Sequence, residues 1–263
     1  MTFLDHLEEL RWHLVRSFVA IVVLSIAAFS MKSLVFDVII FGPARPDFWT
    51  FRMLCKLSDL INSSALCIGD IPFMIQSRNM TGQFTMHLIS SFVIGFVVAF
   101  PYIFWEIWRF IGPGLYTNER KVSRGAVFFV TLLFLSGVLF GYYIMSPLTV
   151  NFLANYQVSE MVINEFDITS YVTTITTLVL GSGLLFQLPM VVFFLSKLGI
   201  VTPQLMRSYR RHAIIVILFV GALLTPPDPL SQILIAFPLF GLYQFSILIS
   251  ASVERRRKKA SKT

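Results

Sequence analysis

The groups with which this 263-residue chain could do chemistry are few: four histidines, two cysteines and 14 acidic residues. His6, His13, His87 and His212 are too scattered for metal-ligand spacing. His13 and His212 mark the edges of apolar runs, and His87 inside such a run reads as a satisfied interior residue rather than a ligand. No G-x-S-x-G, H-E-x-x-H, Walker lysine or C-x-x-C occurs. The pattern therefore supports no catalytic residues, no metal, no cofactor and no enzyme class. What remains is recognition chemistry. Glu8 and Glu9 stand beside Arg11, and Glu119 stands beside Arg120 and Lys121. Such carboxylates either neutralise their own basic neighbours or accept an incoming cation, and an arginine fork suits them best.

The elements that position these groups follow from composition. Apolar residues make up 56% of the chain and charged residues 13%, with 27 phenylalanines and a mean hydropathy of +0.76. Soluble domains carry about 25% charged residues, and so few charges could not cover so much apolar surface in water. Six apolar runs, about 13–36, 83–108, 124–152, 168–198, 212–225 and 229–252, predict six transmembrane helices. The fifth is short for a span. Acidic residues crowd the start and no small-residue cleavage motif follows the first run, so a removable signal peptide is not expected. Arginine and lysine set the orientation. The two ends, the second-to-third connection and the fourth-to-fifth connection hold 16 basic against 6 acidic residues, and the opposite side holds 5 against 8. Positive charge stays inside, which places both termini in the cytoplasm. The expected fold is thus an all-α polytopic membrane protein, one integral-membrane domain over 1–263 with several proline-bent helices. Residues 253–263 form a basic cytoplasmic tail. That tail anchors topology; no basic stripe with interleaved aromatics marks nucleic-acid binding.

Several local features refine this layout. The segment Phe3–Trp12 has Leu4, Leu7 and Leu10 at helical spacing and is expected to lie along the cytoplasmic interface before turning into the first span. Between residues 37 and 79, Trp49, Met53, Leu57, Leu60 and Ile61 recur at helical spacing. They predict a short amphipathic helix on the outer surface, either packed over the bundle or serving as a binding element. Cys55 and Cys67 share that outer segment, facing an oxidising compartment, with turn formers between them. A disulfide between them is expected, the alternative being free cysteines buried as small apolar residues. Pro101, Pro147, Pro189 and Pro238 each remove a helix donor within a span. Gln187 is a polar group at depth and must find a partner, either a helix–helix hydrogen bond or a functional polar site.

The opening His6-Leu7-Glu8-Glu9-Leu10-Arg11 resembles the H-L-x-E-L-R signature of the TatC family, the core subunit of the twin-arginine protein translocase. Pro101, Trp108-Arg109-Phe110-Ile111-Gly112-Pro113-Gly114-Leu115-Tyr116 and Glu119-Arg120-Lys121 resemble its first cytoplasmic loop. Leu224-Thr225-Pro226-Pro227-Asp228 and Ser231-Gln232 resemble its last outer turn. The resemblance implies a receptor for twin-arginine signal peptides that helps move folded proteins across the bacterial cytoplasmic (inner) membrane, driven by the proton-motive force. It implies Glu9, Glu119, Arg11 and Phe110 as the signal-peptide surface. Thr225 and Gln232 match the contact with single-span TatA/TatB-type subunits, and Asp228 matches a sensitive outer acid. It further implies lipid contact and a homo-oligomer within a larger complex. Gln187 departs from the family, since some members carry glutamate at that depth and an amide cannot ionise. The outer segment with Cys55 and Cys67 aligns with no family feature. A small-solute or ion transporter is the alternative class, yet neither midplane charges nor an internal repeat support it.

Overall fold

The structure, a computed structural model, describes residues 3–61, 67, 73–111, 120–159, 161–162, 164–224 and 229–260. Ten α-helices account for most of them: α1 (Phe3–Ser30), α2 (Trp49–Ile61), α3 (Gly82–Ile111), α4 (Arg120–Phe140), α5 (Ser146–Asn155), α6 (Ile168–Leu185), α7 (Leu188–Lys197), α8 (Pro203–Ser208), α9 (Arg210–Leu224) and α10 (Pro229–Ala260). Two three-residue strands, β1 (Met74–Gln76) and β2 (Glu165–Asp167), pair in parallel. The all-α expectation is corrected to that small extent. Among the described residues, five stretches are long and apolar enough to cross a membrane: Glu8–Ser30, Gly82–Phe110, Val127–Asn155, Ile168–Lys197 and Gln232–Arg255. The protein is a multi-pass, largely helical membrane protein. The fifth expected span, 212–225, corresponds to α9, whose 15 residues rise about 22 Å against a hydrocarbon core of about 30 Å.

The chain forms two compact units. One comprises residues 1–132 and 150–176, the other 133–149 and 177–263. In the first, α1 and α3 run antiparallel along a common seam. Phe29 stacks on His87 with ring centres 4.0 Å apart, Ser25 lies against Gly95, and His13 meets Glu106 at the other end. A Cβ on Gly95 would come within 2.7 Å of the Ser25 backbone nitrogen. Only glycine permits that approach, the usual device for close helix packing in lipid. α1 is one uninterrupted helix, so the expected turn between the opening segment and the first span does not occur. Nothing in Phe3–His13 breaks a helix, and its Leu, Glu and Arg residues favour one.

The first span also ends sooner than hydropathy suggested. After Ser30 the mainly apolar stretch Leu34–Ile40, which carries Asp37, winds into a π-helical turn that buries Val35, Phe36 and Ile40. Tyr171 at the start of α6 donates its hydroxyl to the carbonyl of Ile40 at 2.9 Å. Asp167 precedes α6, and its Oδ1 accepts the Thr169 backbone N–H at 2.7 Å while Oδ2 accepts that of Arg78 at 3.1 Å. The Thr169 hydroxyl and amide, with the Arg78 amide, hold this carboxyl below the usual range for aspartate. On α2 the stripe Trp49, Met53, Leu57 and Leu60 faces outward, while Phe51, Thr50 and Ser58 are buried. The amphipathic face is therefore the unburied one.

In the second unit, the last turns of α4 and a π-helical turn at Gly141–Met145 lie against α6. Added Cβ atoms on Gly137 and Gly141 would sit 2.6 Å and 2.8 Å from the Ser182 and Leu178 carbonyl oxygens. The π-turn stands just ahead of Pro147, which has no N–H to close an α-turn, and Ser146 Oγ donates to the Gly141 carbonyl at 2.8 Å. Pro189 likewise coincides with the break between α6 and α7. Pro101 and Pro238 sit inside continuous helices instead. Met145, Leu178, Ile217, Ile235 and Leu239 form the main core. A smaller cluster of Val192, Met206 and Ile247 lies beside it, where Tyr243 donates to the Met206 carbonyl at 2.7 Å. Gly199, at φ 79°, ends the α7 region in the left-handed conformation glycine tolerates.

Candidate functional site

An acid inside an apolar helix must be paired, because hydrocarbon offers it no water. Glu106, on α3 between Trp105 and Ile107, is 1% exposed. Its carboxylate meets His13 Nδ1 from α1 through Oε2, and its Oε1 accepts the Tyr102 hydroxyl at 2.9 Å. His13 is 7% exposed, and its ring centre lies 6.2 Å from that of Phe110. These groups lock the ends of α1 and α3 together. Helical spacing then extends the same seam outward: Glu9 stands one turn before His13, and Phe110 one turn after Glu106.

Of the residues expected at the signal-peptide surface, Phe110 lies against His13, and Glu9 stands one helical turn before His13 on α1. Glu9 is half-buried and Arg11 exposed, with the Arg11 guanidinium 5.6 Å from the Trp12 ring centre. Arg109, also exposed, lies 5.0 Å over Trp105. Two aromatic faces are thus already occupied by the chain's own arginines, while Phe110 lies against His13. A carboxylate next to an aromatic ring can take a guanidinium by a forked hydrogen bond and a stacking contact together. Glu119, Thr225 and Asp228 lie outside the described residues.

Glu106 is left unnamed by the sequence reading, and His13 is taken there only as the edge of an apolar run. Their pairing was missed, although a lone acid in an apolar run four residues after a tyrosine was a usable signal. Gln232 sits in the first turns of α10 and donates through Nε2 to the Leu218 carbonyl of α9 at 3.2 Å. It therefore ties two helices of its own unit, and Gly221, where an added Cβ would lie 2.9 Å from Ile235 Cγ2, closes the same joint. Gln187 stands at the break before α7, where its backbone carbonyl accepts from Met190 and Val191 at 2.9 Å and 3.1 Å. Cys55 and Cys67 are joined as a disulfide that closes back onto α2. Among the described residues, no group of histidine, cysteine and acid could hold a metal ion.

Residues 5–238 match the family described as Sec-independent protein translocase protein (TatC). The chain is 39% identical over 259 residues to the Sec-independent protein translocase protein TatC of Blattabacterium sp. subsp. Periplaneta americana, covering 98% of this chain and 97% of that relative. It is 33% identical over 261 residues to TatCy of Bacillus subtilis, covering 99% and 93%. Among solved structures, a crystal structure of the twin arginine translocase receptor TatC superposes with a TM-score of 0.69 at 27% identity, over 95% of this chain and 99% of that one. A second, of that receptor in DDM, gives 0.72 at 28% identity over 93% and 99%. With its helical membrane fold and its match along nearly the whole length, the chain belongs to the TatC family, the core of the Sec-independent, twin-arginine protein translocase.

Proposed function

We propose that this chain is the signal-peptide receptor of a twin-arginine translocase in a bacterial cytoplasmic membrane. In this reading the chain crosses six times with both termini in the cytoplasm, and α9 is the fifth, short span in a locally thinned bilayer. Folded cargo moves outward, driven by the proton-motive force. The observation that carries the reading is the seam at one end of α1 and α3, where His13, Tyr102 and Glu106 fix the helix ends that bear Glu9 and Phe110. Glu9 and Glu119 accept the paired arginines of the signal peptide, with Arg11 and Phe110 bounding the same surface. One exposed ion pair contributes about 0–1 kcal/mol, so two acids at an interface give selectivity while binding stays reversible.

The second unit supplies the assembly face. Ile215, Phe219 and Leu223 on α9 and Ile233 and Phe237 on α10 are all more than 60% exposed, and Thr225 and Gln232 stand beside them in sequence. Single-span TatA/TatB-type helices dock there, with hydrogen bonds that lipid does not offer. Asp228 acts at the outer side of this face, and further copies of the chain complete the complex.

A photo-crosslinking residue placed at Phe110 tests the receptor reading in membrane vesicles. A twin-arginine signal peptide should crosslink to Phe110, and a twin-lysine version should crosslink at least several-fold less. Equal crosslinking of both peptides would remove the basis for arginine recognition at this seam.

A further inference from the structure

At the end of α1 and α3 remote from Glu9, the first unit holds a half-open cavity of about 750 Å³, within the usual range for small-ligand sites. Its walls are neither plain core nor plain surface. Lys32, two residues past the end of α1, and Asp37 on the π-helical turn both line it, and neither has an ion-pair partner among the described residues. Gln83 and His87, from the first turns of α3, line it too. His87 Nε2 is itself buried, so the residue meets the cavity through its other atoms. Phe36 and Phe84 supply apolar wall.

The chemistry of a ligand follows from these groups. Lys32 is a compact cation and His87 a hydrogen-bonding ring, a combination suited to a phosphate. Asp37 with two aromatic rings suits an ammonium. One molecule that carries phosphate and ammonium a few bonds apart satisfies both. The cavity also lies where α1 ends and α3 begins, the depth of lipid headgroups for two membrane-crossing helices. Phe84, which lines the cavity, is 62% exposed, and Met31, Leu34 and Leu88, close to lining residues in sequence, are exposed as well. Apolar surface there favours a ligand with acyl chains over a soluble one.

We propose that this cavity is a headgroup site for a zwitterionic phospholipid, with its phosphate held by Lys32 and His87 and its ammonium by Asp37. The site is separate from the signal-peptide seam and does not depend on that reading.

Native mass spectrometry of the delipidated, detergent-purified protein tests it, with phosphatidylethanolamine, phosphatidylglycerol and soluble phosphoethanolamine as probes. Phosphatidylethanolamine should bind the unaltered chain. Lys32→Gln and Asp37→Asn should each weaken it about tenfold, the effect of one charge-assisted contact. Lys32→Arg should retain binding. Phosphatidylglycerol should respond to Lys32→Gln and not to Asp37→Asn. Both substituted residues are exposed, and an unchanged lipid-free melting midpoint certifies each variant as folded. Phosphatidylethanolamine affinity that is equal in all variants would overturn the proposal. So would phosphoethanolamine binding as tightly as the lipid, which would make the site one for a soluble ligand, or a polypeptide retained in the cavity's place through delipidation.

Discussion

Replacing Glu106 with leucine perturbs the joint on which the receptor surface depends. Glu106 is 1% exposed and holds both His13 and the Tyr102 hydroxyl. Leucine leaves those two groups buried without their acceptor. The cost is that of stranded buried polar groups, about 1–3 kcal/mol. At about 2–4 °C per kcal/mol for a chain of this size, the melting midpoint in detergent should fall by roughly 2–12 °C. Glu106→Gln should be far milder, because an amide still accepts from Tyr102 and can donate to the ring. The double variant His13→Leu/Glu106→Leu should recover most of the loss, since a buried ion pair replaced by apolar groups is often neutral. A Glu106→Leu protein that melts with the unaltered chain would mean that this joint does not hold α1 to α3. So would a double variant less stable than the sum of its parts.

Other consequences can be read from the same structure. Gly95→Val should separate α1 from α3, because even a Cβ would press on the Ser25 backbone; a drop of about 1–3 kcal/mol in stability, the cost of overpacking, checks it. Asp167 has its carboxyl held below the ordinary range by Thr169 and Arg78. Its stabilisation is therefore present above the unfolded-state pKa and lost as pH falls through the lower folded-state value. Asp167→Asn should flatten the acid limb of a stability–pH profile, and an unchanged limb counts against the role. Gln232→Leu should reduce co-purification of a single-span partner, and no change in it or in Thr225→Val would put the docking face elsewhere. Thiol reagents should leave Cys55 and Cys67 unmodified in the unreduced protein. Reduction should release about 3 kcal/mol of loop constraint.

Hydropathy and charge carried the membrane class and four of the helical layout's long spans to within a few residues of their place, because burial in lipid imposes one rule on every residue of a span. The family motifs pointed to Glu9 and Phe110, and the structure places these along one seam. What escaped was tertiary. Met74–Gln76 pairs with Glu165–Asp167 across a long stretch of chain, and three-residue strands leave no periodicity to detect. The outward face of the α2 stripe could not be told from an inward one, since periodicity finds a face but not what covers it. The partnership of Glu106 with His13 needed the antiparallel register of α1 and α3. Apolar run lengths do not specify that register, whereas the contacts at Gly95 and His87 do.

Glu9 on α1, together with Glu119, is proposed to receive the paired arginines of a signal peptide. Equilibrium binding of a labelled twin-arginine peptide to the detergent-purified chain tests this most directly, using unaltered protein, Glu9→Ala, Glu119→Ala and the double variant. The double variant should bind at least about tenfold more weakly while keeping its melting midpoint, the loss expected for two partly shielded contacts of about 0.7 kcal/mol or more each. Charge reversal at Glu119 should weaken binding further, through repulsion. Undiminished binding to the folded double variant would contradict the account.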